Sequence, residues 1–192
     1  MGYMIVPLVT KSSWLDGRAY ANELRCCIRR KFKAIRKQNF NTQILRPIAG
    51  GLKALTRLKG LHLSNNSFTD GLPEVVSRLN LLESLNLYGC KLTGLPATLK
   101  ALTRLKRLRL SNNPFSDGLP EIVSQLSLLE SLNLSRCKFT RLPATLKALT
   151  RLKVLDLSNN FFPDGLPEVV SQLNLLESLN LSNCRLKRLP AT

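Results

Sequence analysis

Leu105-Lys106-Arg107-Leu108-Arg109-Leu110-Ser111-Asn112-Asn113-Pro114-Phe115 is the stretch that decides how this chain folds. Leucine stands at its first, fourth and sixth places, asparagine at the ninth and an aromatic at the eleventh. The frame returns as Leu58-Leu61-Leu63-Asn66-Phe68, Leu82-Leu85-Leu87-Cys90-Leu92 and Leu129-Leu132-Leu134-Cys137-Phe139. It returns again as Leu152-Leu155-Leu157-Asn160-Phe162 and Leu176-Leu179-Leu181-Cys184-Leu186. Successive frames start 24 and 23 residues apart in alternation, so two frames make a unit of 47. The unit is written three times, as Leu52–Thr98, Leu99–Thr145 and Leu146–Thr192. The second and third copies differ at 10 of 47 positions, leaving 37 identical. Self-similarity at a fixed period marks a stack of like elements rather than one closed globule.

Within each frame the leucines alternate with other residues at period two, the signature of a strand with one buried face. Leu61 and Leu63 therefore point inward while Gly60, His62 and Ser64 point out. Beyond the turn, Leu72-Pro73-Glu74-Val75-Val76-Ser77-Arg78-Leu79 reads as a short helical segment with Pro73 near its first position. Asn66, Asn113 and Asn160 stand where the chain turns inward, placed to bond backbone groups of neighbouring coils that are otherwise buried without partners. The longer coils carry Asp-Gly (Asp70-Gly71, Asp117-Gly118, Asp164-Gly165), a turn signal that accounts for their extra residue. One coil cannot bury its apolar face alone, but stacked coils share a continuous core.

These six frames, L-x-x-L-x-L-x-x-N/C-x-F/L, resemble the leucine-rich-repeat superfamily over residues 51–192. The Leu-Pro that follows (Leu72-Pro73, Leu95-Pro96) is similar to the intracellular, Ras-interacting-type subclass. The resemblance implies an α/β solenoid: a curved right-handed coil with parallel strands on the concave face and short helices or irregular segments on the convex one. It further implies a protein–protein interaction scaffold in intracellular signalling or immune-type recognition.

The chain carries 29 Lys and Arg against 12 Asp and Glu, a net charge of +17. That excess favours acidic partners, whether protein surfaces, nucleic acid or anionic membrane. Residues 1–50 alone hold ten basic and two acidic side chains. Leu24, Ile28, Phe32 and Ile35 recur there at helical spacing among Arg25, Arg29, Arg30, Lys31 and Lys33. A basic amphipathic helix can lie on anionic lipid or an acidic groove. The favoured reading is plainer: residues 1–34 form a basic helical cap and 35–50 a degenerate zeroth repeat. Shifted by one period, Ile35, Gln38, Phe40, Gln43, Leu45 and Ile48 fall on Leu82, Leu85, Leu87, Cys90, Leu92 and Leu95. Terminal repeats are expected to be worn in this way. At the other end the last strand, around Leu179, has no successor in sequence, which points to self-association or to a fragment of a longer array.

Neither a membrane span nor a secretory signal is recognisable, so the expectation is a cytoplasmic protein. Cys90, Cys137 and Cys184 take the asparagine place of alternate coils, roughly 10 Å apart at the spacing of strands, too far for disulfides. They are read as small buried thiols, and Cys26-Cys27 lack a nearby base. No phosphate loop, metal cluster or triad is present, and His62 is the sole histidine. The expectation is a protein that is no enzyme and holds no cofactor and no metal.

The copies differ from one another mainly on the strands and the turns just after them. Gly60, Arg107 and Val154 correspond, as do His62, Arg109 and Asp156. Tyr88 corresponds to Ser135 and Ser182, and Gly89 to Arg136 and Asn183. Segments on the other side, such as Leu99–Lys106 and Leu146–Lys153, are identical, exposed residues included. The concave strip is therefore the expected partner-binding surface, formed by His62, Tyr88, Arg107, Arg109, Arg136 and Asp156. Arg107 and Arg109 beside Arg136 make its basic centre and Tyr88 its aromatic anchor. The partner expected is a protein with an acidic surface. The alternative is charge-driven binding of nucleic acid or anionic membrane, against which stand few aromatics for base stacking. Repeated basic residues assigned to the convex side (Lys100, Arg104, Lys106) also read as a solvated face.

Overall fold

The computed structural model describes residues 57–187, and the fold is stated for those. The basic helix expected within 1–34 and the worn repeat at 35–50 lie outside the described residues. Six strands follow in order: β1 (Gly60–His62), β2 (Ser84–Asn86), β3 (Arg107–Arg109), β4 (Ser131–Asn133), β5 (Val154–Asp156) and β6 (Ser178–Asn180). All neighbours pair in parallel, in sequence order. The central leucines stand in one register, Leu61 beside Leu85, Leu85 beside Leu108, and onward to Leu179.

Between strands the chain returns through a single 3-10 turn: Glu74–Arg78, Ala97–Ala101, Glu121–Gln125, Ala144–Ala148 and Glu168–Gln172. Each turn is preceded by its proline, which stands at the capping place rather than inside the helix. The proline carbonyl accepts the N–H three residues on, as Val76 N–H does to Pro73 at 3.1 Å. The extra residue of the longer coils is absorbed by left-handed glycines, Gly71 at φ 91° and Gly118 at 86°. Gly71 N–H closes that turn on Phe68 carbonyl at 3.0 Å. The residue is glycine because a side chain is strained in that region.

The core is a ladder of leucines. Leu82, Leu105, Leu129 and Leu152 are wholly buried, as are Leu99 and Leu146 from the opposite side. Each contributes roughly 1.5–3 kcal/mol of apolar burial before chain entropy is counted. Phe115 and Phe139 stack at 6.0 Å between centroids, filling the space beside the turns.

The inward turn is satisfied by a second ladder. Asn113 Nδ2 donates to Leu87 carbonyl at 2.8 Å and to Leu110 carbonyl at 2.7 Å. Its Oδ1 accepts from Cys90 and Leu92 N–H, both at 3.0 Å. Asn160 repeats the pattern with Leu134, Leu157, Cys137 and Phe139. In the alternate coils a thiol takes the place: Cys90 Sγ donates to Leu63 carbonyl at 3.0 Å, Cys137 to Leu110 and Cys184 to Leu157. Among the described residues no buried side-chain polar atom lacks a partner.

Candidate functional site on the strand face

The outward residues of the six strands form two rows fixed by the register. One reads Gly60, Ser84, Arg107, Ser131, Val154, Ser178; the other His62, Asn86, Arg109, Asn133, Asp156, Asn180. The even strands are the same three times, Ser-Leu-Asn. Their asparagines have a local duty, since Asn86 Oδ1 accepts Tyr88 N–H, Asn133 that of Ser135 and Asn180 that of Ser182, each at 3.0 Å. The odd strands read Gly-Leu-His, Arg-Leu-Arg and Val-Leu-Asp. Chemical variation is thus confined to every second strand.

An open groove of about 280 Å³ runs across β1 to β4, with Leu85 and Leu108 in its floor. Its polar lining is His62, Ser84, Asn86, Arg107, Arg109, Ser131 and Asn133. That volume falls below the ~300–1,000 Å³ of sites that enclose a small molecule, which suits an extended contact better. Arg109 is held in place: its guanidinium lies 5.1 Å from the centre of the Tyr88 ring, and its Nε donates to Ser111 Oγ at 3.2 Å. The ring and the charge attract each other electrostatically. Tyr88 thus lies against the guanidinium of Arg109.

The structure brings His62, Arg107 and Arg109 together and places the other expected residues around them. Asp156 lies on β5, half-buried, beyond the groove. It accepts from Asn133 Nδ2 at 2.9 Å and from Ser158 N–H at 3.0 Å. Arg136 is exposed in the turn after β4, left-handed at φ 56°, and does not line the groove. Gly89, its counterpart one unit earlier, shares the left-handed turn at φ 61°, and a Cβ there would have to displace the exposed Asn65 side chain, whose Oδ1 lies at 2.8 Å. Ser84, Asn86, Ser131 and Asn133 were not anticipated. A comparison that looks for differences between copies passes over positions that repeat.

A row of alternating charge, also missed, runs beside the strands. Lys59, Glu83, Lys106, Glu130, Lys153 and Glu177 each directly precede a strand. Lys59 and Glu83 pair at 3.4 Å, Glu83 and Lys106 at 3.8 Å, and Lys153 and Glu177 at 2.8 Å. Lys106 was expected on the convex side with Lys100 and Arg104; instead it stands in this row, drawn to Glu83. The hydrogen bond and charge of Lys59 lower the Glu83 carboxyl below its ordinary value, with help from Lys106 and Arg107. A hydrogen bond and the charge of Glu177 raise Lys153 in the same way.

Burial pushes the Cys90 and Cys137 thiols up to about 11 and raises Cys184 as well. A thiol so shifted is a poor nucleophile at neutral pH, which accords with a packing role. Among the described residues no group of three or more His, Cys, Asp or Glu is placed to hold a metal ion. No helix among them is long and apolar enough to cross a membrane.

What the geometry defines is a repeat scaffold whose parallel strands present one continuous, chemically varied face. The model of a leucine-rich repeat region matches residues 42–164, and that of a single leucine-rich repeat matches 175–192. The chain belongs to the leucine-rich-repeat family. No curated protein matches it. Among solved structures, a leucine-rich-repeat protein of Leptospira interrogans is 34% identical over 72% of this chain and 35% of its own, with a TM-score of 0.67. Internalin C2 of Listeria monocytogenes is 25% identical over 70% of this chain and 55% of its own, at 0.58. The plant peptide hormone receptor RGFR1, solved in complex with RGF2, is 26% identical over 68% of this chain and 21% of its own, at 0.55. The chain thus spans from about a fifth to about half of these proteins. Proteins of the family generally mediate protein–protein interaction on a scaffold that is typically non-enzymatic.

Proposed function

We propose that this chain is an interaction module that docks a partner protein on its strand face, without catalysing a reaction. The observation that carries the reading is the distribution of differences among the copies. Outward residues of the odd strands change from Gly-His to Arg-Arg to Val-Asp, while exposed residues such as Lys100 and Lys147 repeat. Changes also fall on the other side, as at Arg78, Gln125 and Gln172, but only the odd-strand position of His62, Arg109 and Asp156 passes from a cationic to an anionic side chain. The Leu-Pro after each coil supports the intracellular, Ras-interacting-type subclass, and with it a cytoplasmic role in signalling or immune-type recognition. That RGFR1 was solved in complex with RGF2 supports protein docking on this fold.

The test places bulk on one face at a time. Ser131→Trp fills the groove, and Gln125→Trp, on the exposed side of a 3-10 turn, serves as the control. With the full chain as bait in cells, proteins recovered by the wild type should be lost from the Ser131→Trp bait and kept by Gln125→Trp. Equal recovery by both variants overturns the reading. The net charge of +17 favours a second reading, binding to nucleic acid or anionic membrane. Contacts driven by phosphate collapse as salt rises from 50 to 200 mM, by about a thousandfold or more for six such contacts. Retention through that range therefore supports the protein partner.

A further inference from the structure

The odd strands of this face differ in charge, cationic at β3 and anionic at β5. We infer that the partner presents an extended segment with an acidic residue over β3 and a basic residue about three positions away over β5. The inference rests on the proposed docking face and adds a charge order to it.

The cationic end comes first. Arg107 and Arg109 flank Leu108 on one strand, both exposed, and no carboxylate is found within ion-pairing distance of either among the described residues. Arg109 is already fixed by Tyr88 and Ser111, so little side-chain freedom is lost when an anion arrives. Asn86 and Asn133 turn their oxygens back to their own turns, which leaves amide N–H groups on the groove side, and Asn133 gives one of these to Asp156. Ser84 and Ser131 add hydroxyls. The groove therefore offers chiefly donors, and a carboxylate bracketed by two guanidinium groups is the complementary group.

The opposite end differs in kind. Asp156 is the only acid on a strand among the described residues, and two accepted hydrogen bonds leave its carboxylate capacity for more. Beside it Val154 is 40% exposed, an apolar neighbour for the methylene stem of a lysine or arginine whose head reaches Asp156. Between the two ends lies β4, neutral and polar. Neighbouring strands are about 4.8 Å apart, so β3 and β5 are separated by about 10 Å, and an extended chain rising about 3.3 Å per residue covers that in three residues. Nucleic acid fits poorly: Tyr88, the aromatic beside the arginines, has Arg109 over its ring, and Asp156 repels phosphate.

A random 12-residue peptide library displayed on phage, panned against the full chain at 50 mM salt, provides the probe. Recovered peptides should be enriched in an acidic and a basic residue three apart. For synthetic copies of the recovered peptides, Arg107→Glu with Arg109→Glu should weaken binding by about thirtyfold or more. Asp156→Lys should weaken it by less, and changing the peptide's basic residue to glutamate should restore it. Circular dichroism and thermal melting establish that each variant is folded. Peptides that lose binding on Ser131→Trp but ignore all three charge reversals leave the docking face standing and overturn the charge order. Peptides indifferent to Ser131→Trp as well overturn the docking face itself. Recovery of no peptide, with a single-stranded oligonucleotide bound instead through Arg107 and Arg109, overturns both in favour of nucleic acid.

Discussion

At the inward turn the odd coils place an amide and the even coils a thiol, and the two solve the same problem to different depths. Asn113, 1% exposed, serves five backbone groups: the carbonyls of Leu87, Leu110 and, at a longer 3.4 Å, Ser111 by donation, and two N–H groups by acceptance. Cys137, equally buried, has a single S–H, which lies 3.4 Å from the Leu110 carbonyl and 3.5 Å from that of Ser135, and its sulfur is only a weak acceptor for the backbone N–H groups of Asn112 and Asn113. The N–H groups of the thiol coil are instead served from the next coil, where Asn160 Oδ1 receives those of Cys137 and Phe139. Successive interfaces thus differ in kind, one bridged by an amide and the next by a thiol and the backbone. Each amide coil stands beside thiol coils, and one coil of each kind makes the sequence repeat of 47.

Removing the amide tests this contrast hardest. Asn113→Ala leaves the two N–H groups and the two closer carbonyls buried without that partner, at about 1–3 kcal/mol for each left unsatisfied, so a loss of about 4 kcal/mol is expected after partial relaxation. Urea denaturation of the full chain measures it. If Asn113→Ala and Cys137→Ala prove equal, the amide and thiol interfaces are equivalent and the pairing argument fails.

Alkaline pH attacks the thiol coils, and comparison with Cys137→Ala separates their share from that of the lysine pairs. The thiols' folded pKa values lie above the ordinary 9.0, at about 11 for Cys90 and Cys137. The unfolded chain therefore releases these protons first. The contribution is fully present below pH 9 and drains away as pH rises toward 11. Denaturation midpoints at pH 8 and pH 10.5 should fall in the wild type, and fall less in Cys137→Ala. At pH 8 that variant should lose only about 1 kcal/mol, the worth of a small buried group with weak hydrogen bonds. A wild-type midpoint that stays level to pH 10.5 contradicts buried neutral thiols.

The same contrast explains what could be read from the amino acids alone. The leucine spacing carried the fold, because period two inside a frame and a fixed period between frames allow one stacking. The asparagine ladder was legible because a buried turn leaves backbone groups that must be bonded. Two features of the face were not. Tyr88 meets Arg109 diagonally, from two residues past one strand to the end of the next, and only the register reveals that contact. The repeated Ser-Leu-Asn strands escaped because attention to variation discards what does not vary. Arg136 differs between copies as the odd-strand residues do, yet its left-handed turn sets it outside the groove.

The charge row carries the smallest expected effect and bears most directly on pairing order. Odd coils supply Lys59, Lys106 and Lys153, and even coils Glu83, Glu130 and Glu177, so every step along the row joins opposite signs. Such exposed pairs add little stability, since water and salt screen them and long side chains resist being held. Glu83→Gln should accordingly move the melting temperature within measurement scatter. Glu83→Lys is different, because it sets three lysines in succession and imitates an odd coil in an even place. Its melting temperature should fall at 20 mM salt and recover toward that of Glu83→Gln at 1 M, where the Debye length shrinks to about 3 Å. A deficit that persists at high salt would mean that Glu83 matters through packing. A deficit that fades makes the row an electrostatic check on the order of the coils, acting beside the amide and thiol ladder that sets their strength.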